Sequence, residues 1–154
     1  MRVYADTNFF TNLFLRLSHG TDAHRLYEEH VADGGDLIPI TPLLHLEFVN
    51  AVERVVFDSR HGGQWRITPE NALLAAAAFD DAMEARETFE LSSLSLAAVK
   101  VPFELLAHRH TAEWGFRTYD ILHVASALAL GCDAFWTFDA KAKKLAALEG
   151  LATN

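Results

Sequence analysis

Asp6, Glu47, Asp120 and Asp139 are the residues whose type and setting best suit chemistry, with Asn8 and Thr137 beside two of them. Acids drawn together cannot all stay ionised without a cation, because like charges raise one another's pKa. The natural counter-charge is Mg²⁺ or Mn²⁺, a hard ion that prefers oxygen ligands and keeps several waters. Such an ion lowers the pKa of a bound water and neutralises charge on a phosphodiester; a pair about 3.5–4 Å apart clamps attacking and leaving oxygens. The reaction class that suits this set is hydrolysis of a phosphodiester.

Each acid also has a plainer role open to it. Asp6 and Asp139 each precede a helical pattern and can serve as N-caps. Asp120 falls in the first turn of a helix, where the macrodipole favours a carboxylate whatever else it does. Glu47 lies among Leu43, Leu44, Leu46, Phe48 and Val49, an apolar setting for a solvated acid, with Arg54 or Asn50 as alternative partners. The chain holds 21 Asp and Glu, so number alone selects none of them.

The elements that must position these acids follow from hydrophobic periodicity and from caps. Arg2 to Ala5 reads as a buried strand stopping at Asp6, and Asn8 to Leu17 as a helix with Phe9, Phe10, Leu13, Phe14 and Leu17 at helical spacing. Thr21 to Ala32 is a second helix, ended by Gly34-Gly35, and Asp36 to Thr41 a second strand that Pro39 makes an edge or irregular one. Thr41-Pro42 and Thr68-Pro69 are helix starts, for helices to about Phe57 and Glu87, separated by a loop from Asp58 to Arg66. Phe89 to Leu94 is a weak third strand. Ser95 to Trp114 is helical, with Pro102 expected to kink or divide it and Gly115 to stop it. Thr118 caps a small, apolar helix ending at Gly131, Ala134 to Phe138 is a fourth strand, Asp139 to Leu148 a last helix, and Leu151 to Asn154 a short terminal strand. This alternation favours a parallel sheet with helices on both faces, whose ligands bind beyond the carboxyl ends of the strands. Asp6 and Asp139 sit at such ends.

The length of 154 residues suits one domain spanning 1–154. No apolar run approaches the roughly 20 residues of a membrane span, and Met1 to Asp6 reaches charge too soon for a secretory signal. Cys132 is the only cysteine, which excludes an internal disulfide and a thiolate metal cage and suits a reducing cytoplasm. Thirteen Lys and Arg leave a net charge of −8, against a non-specific nucleic-acid coat. The charge leaves open an enzyme that meets nucleic acid through bound metal, since its ligands are themselves counted as negative.

The order Val3-Tyr4-Ala5-Asp6-Thr7-Asn8, Glu47 on an apolar helix, Tyr119-Asp120-Ile121-Leu122-His123-Val124-Ala125-Ser126-Ala127 and Trp136-Thr137-Phe138-Asp139 resembles a PIN domain, and among PIN domains the VapC-type toxins of toxin–antitoxin pairs. The resemblance runs from Arg2 to about Leu148. It implies a three-layer α/β/α sandwich around a mainly parallel sheet of four or five strands. It implies also a Mg²⁺- or Mn²⁺-dependent ribonuclease acting on RNA, usually a homodimer and held inactive by a small antitoxin. Carried over by position, Asp6, Glu47, Asp120 and Asp139 form the acidic site. Asp6 and Asp120 are the direct metal ligands, and Asp139 acts directly or through water. Glu47 completes the pocket, while Asn8 and Thr137 hold the acids in orientation. The long loop from Asp58 to Arg66 and the interruption at Pro102 depart from the commonest members.

The remaining polar residues carry less. His108 and His110 point to different faces of a helix, against zinc. His123, one turn after Asp120, reads as a packed or hydrogen-bonded histidine rather than a ligand, and Phe9, Phe10 and Phe14 as core or dimer interface. Arg117 and Lys141 are candidate contacts to RNA phosphates, with a solvated helix face as the plainer reading of Lys141, Lys143 and Lys144. Two enzyme-free alternatives remain: a receiver-like Mg²⁺-binding signalling module and a PIN-like fold used for binding alone. A receiver wants a phospho-accepting aspartate on its central strand, and FELSSL has none. A haloacid-dehalogenase-like phosphatase wants an aspartate where Asn8 stands.

Overall fold

The computed structural model describes all residues from Met1 to Asn154. Strand β1 (Val3–Ala5) pairs in parallel with β4 (Ala134–Trp136), which pairs in parallel with β5 (Ala152–Thr153). Strands β2 (Ile38–Ile40) and β3 (Phe89–Leu91) form a second parallel pair, with β2 packed beside β1. The expected single sheet of four or five strands is therefore five strands in two hydrogen-bonded groups. Pro39 explains the division. The Ile38 N–H donates to Thr88 and the Ile40 carbonyl accepts from Ser92, so both residues face β3. Pro39 between them faces β1 and has no N–H to give.

Helices cover this layer in two groups. Helices α1 (Thr7–Leu15), α2 (Gly20–Ala32), α3 (Pro42–Arg60) and α4 (Pro69–Ala85) pack around α1, while α5 (Leu96–Leu106) and α8 (Ala140–Leu148) pack against α7 (Thr118–Ala129). Helices α3 and α4 start where hydroxyl caps place them: the Thr41 hydroxyl accepts the Leu44 N–H, and Thr68 and Asn71 cap α4 reciprocally. Thr118, expected as the cap of α7, is its first helical residue instead, after Arg117 as N-cap. Helix α3 runs three residues past Phe57 into the segment expected as loop. It closes where Asp58 accepts the N–H of Gly63, at a spot where a Cβ would lie 2.5 Å from the Asp58 carbonyl oxygen.

Of the two outcomes expected at Pro102, a kink or a division, the division does not occur. Helix α5 passes through it, and the irregularity comes later, as a π-helical turn (Ala107–Thr111) leading into the short α6 (Ala112–Trp114). An interior proline costs a helix about 3 kcal/mol; packing of α5 along α7, with Val99 and Leu106 buried, offsets it.

The core is one contiguous cluster. Phe10, Phe14, Phe48, Phe79 and Phe89 meet mostly edge to face at its centre, with ring centroids 4.3–6.4 Å apart. Phe9, stacked near Trp136 and Phe138, and Tyr4, stacked on Phe135, extend it beneath the strand ends. No helix is long and apolar enough to cross a membrane.

Candidate active site

The carboxyl ends of β1 and β4 lie side by side, and the acids that follow them are tied together by one hydroxyl. Asp6 caps α1: Oδ1 accepts the Phe9 N–H at 2.9 Å, and Oδ2 accepts the Thr137 hydroxyl at 2.6 Å. The same Thr137 oxygen accepts the Asp139 N–H at 2.9 Å, while the Asn8 side-chain oxygen accepts the Phe138 N–H at 3.1 Å. Both residues read from sequence as orienting groups thus cross-link the two strand ends. Burial pushes the Asp6 carboxyl up to about 6, against the opposing pull of His123, the Thr137 hydroxyl and the Phe9 N–H. Asp6 therefore holds its charge at a cost and has no Lys or Arg partner.

Asp139 and Asp120 stand differently. Asp139 caps α8, accepting the N–H groups of Lys141 and Ala142 on Oδ1 at 2.8 and 3.1 Å. Its Oδ2 accepts from Arg117 Nη2 at 2.8 Å. Burial alone would raise its pKa; the Ala142 N–H and the guanidinium outweigh that and hold it below the usual carboxylate range. Asp120, in the first turn of α7 and buried, accepts from the backbone N–H, Nε and Nη2 of Arg117 at 2.9, 3.1 and 2.9 Å. The plain capping roles open to Asp6, Asp120 and Asp139 are all realised, and each also turns a carboxylate toward a common space.

Glu47 reaches that space from mid-α3. Its Oε2 accepts the Thr7 hydroxyl at 2.6 Å and pairs with His123 Nε2, whose other ring nitrogen lies 2.9 Å from the buried Tyr4 hydroxyl. Burial raises the Glu47 carboxyl, but the hydrogen bond and charge of His123 and the Thr7 hydroxyl bring it below its ordinary value. Arg54, an alternative partner, instead lies over the Phe57 ring, 5.6 Å from its centroid.

A hollow of about 180 Å³ opens among Asp6, Glu47, Asp120 and Asp139, with Arg117 and His123 also in its lining. The four acids surround it without three of them closing on a single point. The donor set is nonetheless that of a hard divalent cation: carboxylate oxygens throughout, no thiolate, and at Asp6 a buried charge with no cationic side chain bonded to it.

Sequence reasoning missed Thr7 and underrated His123 and Arg117. Their faint signals were position: Thr7 beside Asp6 at the helix start, His123 three residues after Asp120 on the same helix face, and Arg117 three before it. Lys141 donates to the Gly115 carbonyl at 3.0 Å, Lys143 to the Asn154 carbonyl at 2.6 Å, and Lys144 lies over the Trp114 ring. His110 and Arg109 both bind Glu149, and Phe9 and Phe10 are core.

Solved structures that share this fold include two VapC-type assemblies. VapC20 of Mycobacterium tuberculosis, a toxin that cleaves the sarcin–ricin loop, is 16% identical over 97% of this chain and 96% of its own, with a TM-score of 0.66. VapBC2 of Rickettsia felis, bound to a DNA fragment from its promoter, is 15% identical over 100% and 98%, also at 0.66. Identities this low speak for the fold. No curated protein sequence matches the chain. The family model described as PIN domain matches residues 3–148, a stretch that carries all four acids, and the chain belongs to the PIN domain family.

Proposed function

We propose that this chain is a Mg²⁺- or Mn²⁺-dependent ribonuclease, a single domain over 1–154 that acts in the cytoplasm as the toxin of a toxin–antitoxin pair. The observation that carries the reading is the meeting of Asp6, Glu47, Asp120 and Asp139 around one hollow at the carboxyl ends of β1 and β4. Asp6, Asp120 and Asp139 would hold the cation. When bound, it supplies positive charge against the phosphodiester and makes water a stronger nucleophile.

The chain's own groups account for the rest. Thr137 fixes Asp6 and the start of α8 in one geometry, so the two strand-end acids present their free lone pairs together. His123 and Thr7 hold Glu47 ionised at the hollow's side, where it would orient a water and take its proton. Arg117, in the lining of the hollow, and Lys141, two residues after Asp139, would be the cations that meet the RNA backbone, each on leaving its intramolecular partner. VapC20 is a toxin that cleaves the sarcin–ricin loop; by analogy of fold this chain would be a toxin too, and we extend the proposal to a homodimer restrained by a small antitoxin.

The test is cleavage of RNA by the purified chain with Mg²⁺, with Mn²⁺ and with EDTA. Cleavage should require the metal and vanish in Asp6→Asn and Asp120→Asn. Full activity in either variant, or in EDTA, overturns the mechanism. Expression should arrest growth unless a small protein encoded beside the gene is present; absence of arrest leaves the nuclease and removes the toxin role.

A further inference from the structure

The hollow has two halves of different electrostatic character. On one side, Asp6 and Glu47 have no Lys or Arg partner: they are held by Phe9, Thr137, Thr7 and His123. On the other, every hydrogen bond that Asp120 accepts comes from Arg117, and the same guanidinium bridges to Asp139. Arg117 is also the exposed member of the pair. Its side chain is 62% exposed and reaches in from the rim, whereas the Asp120 side chain is 6% exposed. A planar fork with two bonds to one carboxylate and a third to another occupies the lone pairs that a cation between these acids would need. With the guanidinium between them, no three of the acids close on one point.

We propose that Arg117 is a built-in counter-cation that competes with the divalent ion for Asp120 and Asp139. It holds Asp120 and Asp139 together while no ion is bound, and it must release at least one carboxylate for the ion to enter. The proposal rests on the metal-dependent reading above. It makes Arg117 a residue that weakens metal binding, the reverse of what a merely structural support for Asp120 would do.

The test is titration of Mn²⁺ alone into the metal-stripped chain by calorimetry, alongside thermal unfolding in EDTA, for wild type, Arg117→Ala and Arg117→Lys. Arg117→Ala should bind Mn²⁺ about tenfold more tightly, since a charged hydrogen-bonded competitor is gone. It should also unfold at lower temperature in EDTA, with a larger rise on adding Mn²⁺. Arg117→Lys, which keeps the charge and loses the fork, should fall between the two and guards against a poorly folded alanine variant. Mn²⁺ affinity that is unchanged or weaker in both variants overturns the role of Arg117 and leaves the metal site standing. No binding to any of the three proteins overturns the metal reading itself, and this role with it.

Discussion

At the scale of single residues, the site depends on a few uncharged groups that place charged ones. Thr137 is the sharpest case. It has no solvent exposure, donates to Asp6 and accepts from the Asp139 backbone, so one oxygen sets the spacing of two strands' last acids. Replacing it with valine keeps shape and volume but leaves Asp6 with one fewer donor in a site where burial already penalises its charge. Leaving a buried polar partner unsatisfied costs about 1–3 kcal/mol, and loss of a group that orients a ligand costs about 10–100-fold in metal affinity or activity. Thr137→Val should therefore unfold at lower urea concentration with an unchanged m-value and cleave RNA about 10–100-fold more slowly. A variant matching wild type on both counts would show that the hydroxyl neither positions Asp6 nor supports the fold.

At the scale of elements, the strand ends and helix starts were legible because their signals are local. A carboxylate after a short apolar run caps the next helix, which is how Asp6 and Asp139 stood out; Asp6 follows β1 directly, whereas β4 ends at Trp136, short of the expected Phe138, and leaves Thr137 and Phe138 before Asp139. The partners of Glu47 were not legible, since Thr7 and His123 lie 40 and 76 residues away in sequence and only packing brings them together. Pro39 foretold an irregular strand but not on which side the sheet would divide, which depends on the register with β3. Pro102 misled because its cost is local while the packing of α5 on α7 is not. The π turn after α5 is fixed in the same long-range way. Arg109 and His110 on it both reach Glu149 at the end of α8, with contacts of 2.6–2.9 Å. Burial would raise the Glu149 carboxyl, but the bonds from His110 and Arg109 hold it below its ordinary 4.5. A carboxylate whose folded pKa is depressed stabilises the fold above that value and loses the contribution as pH falls through the folded pKa. Glu149→Gln should thus cost about 1 kcal/mol at neutral pH, and the gap to wild type should close as pH drops below 4.5. Urea unfolding as a series from pH 7 down to pH 2 measures it; a gap that persists unchanged to the lowest pH would assign the loss to packing rather than to charge.

At the scale of the whole molecule, the question is how a chain of net charge −8 meets a polyanion. Four of its acids surround the hollow, and the nearby cations are engaged: Arg117 with Asp120 and Asp139, Lys141 with Gly115, Lys144 with the face of Trp114. Such a surface lacks the free basic field that releases counterions from nucleic acid and gives proteins their metal-independent affinity. RNA recognition must then lean on the ion in the hollow and on whatever Arg117 can reach once that ion has displaced it. In EDTA the chain should bind single-stranded RNA more weakly than about 10⁻⁵ M at physiological salt, toward the weak end of non-specific binding. Its affinity should change little between low and moderate salt, because few phosphates are neutralised by side chains. Fluorescence anisotropy of a labelled RNA over a salt series in EDTA is the measurement. Tight metal-free binding with a steep salt slope would mean that the lysines of α8 leave their intramolecular partners for phosphate, and that substrate capture is separate from the acidic centre.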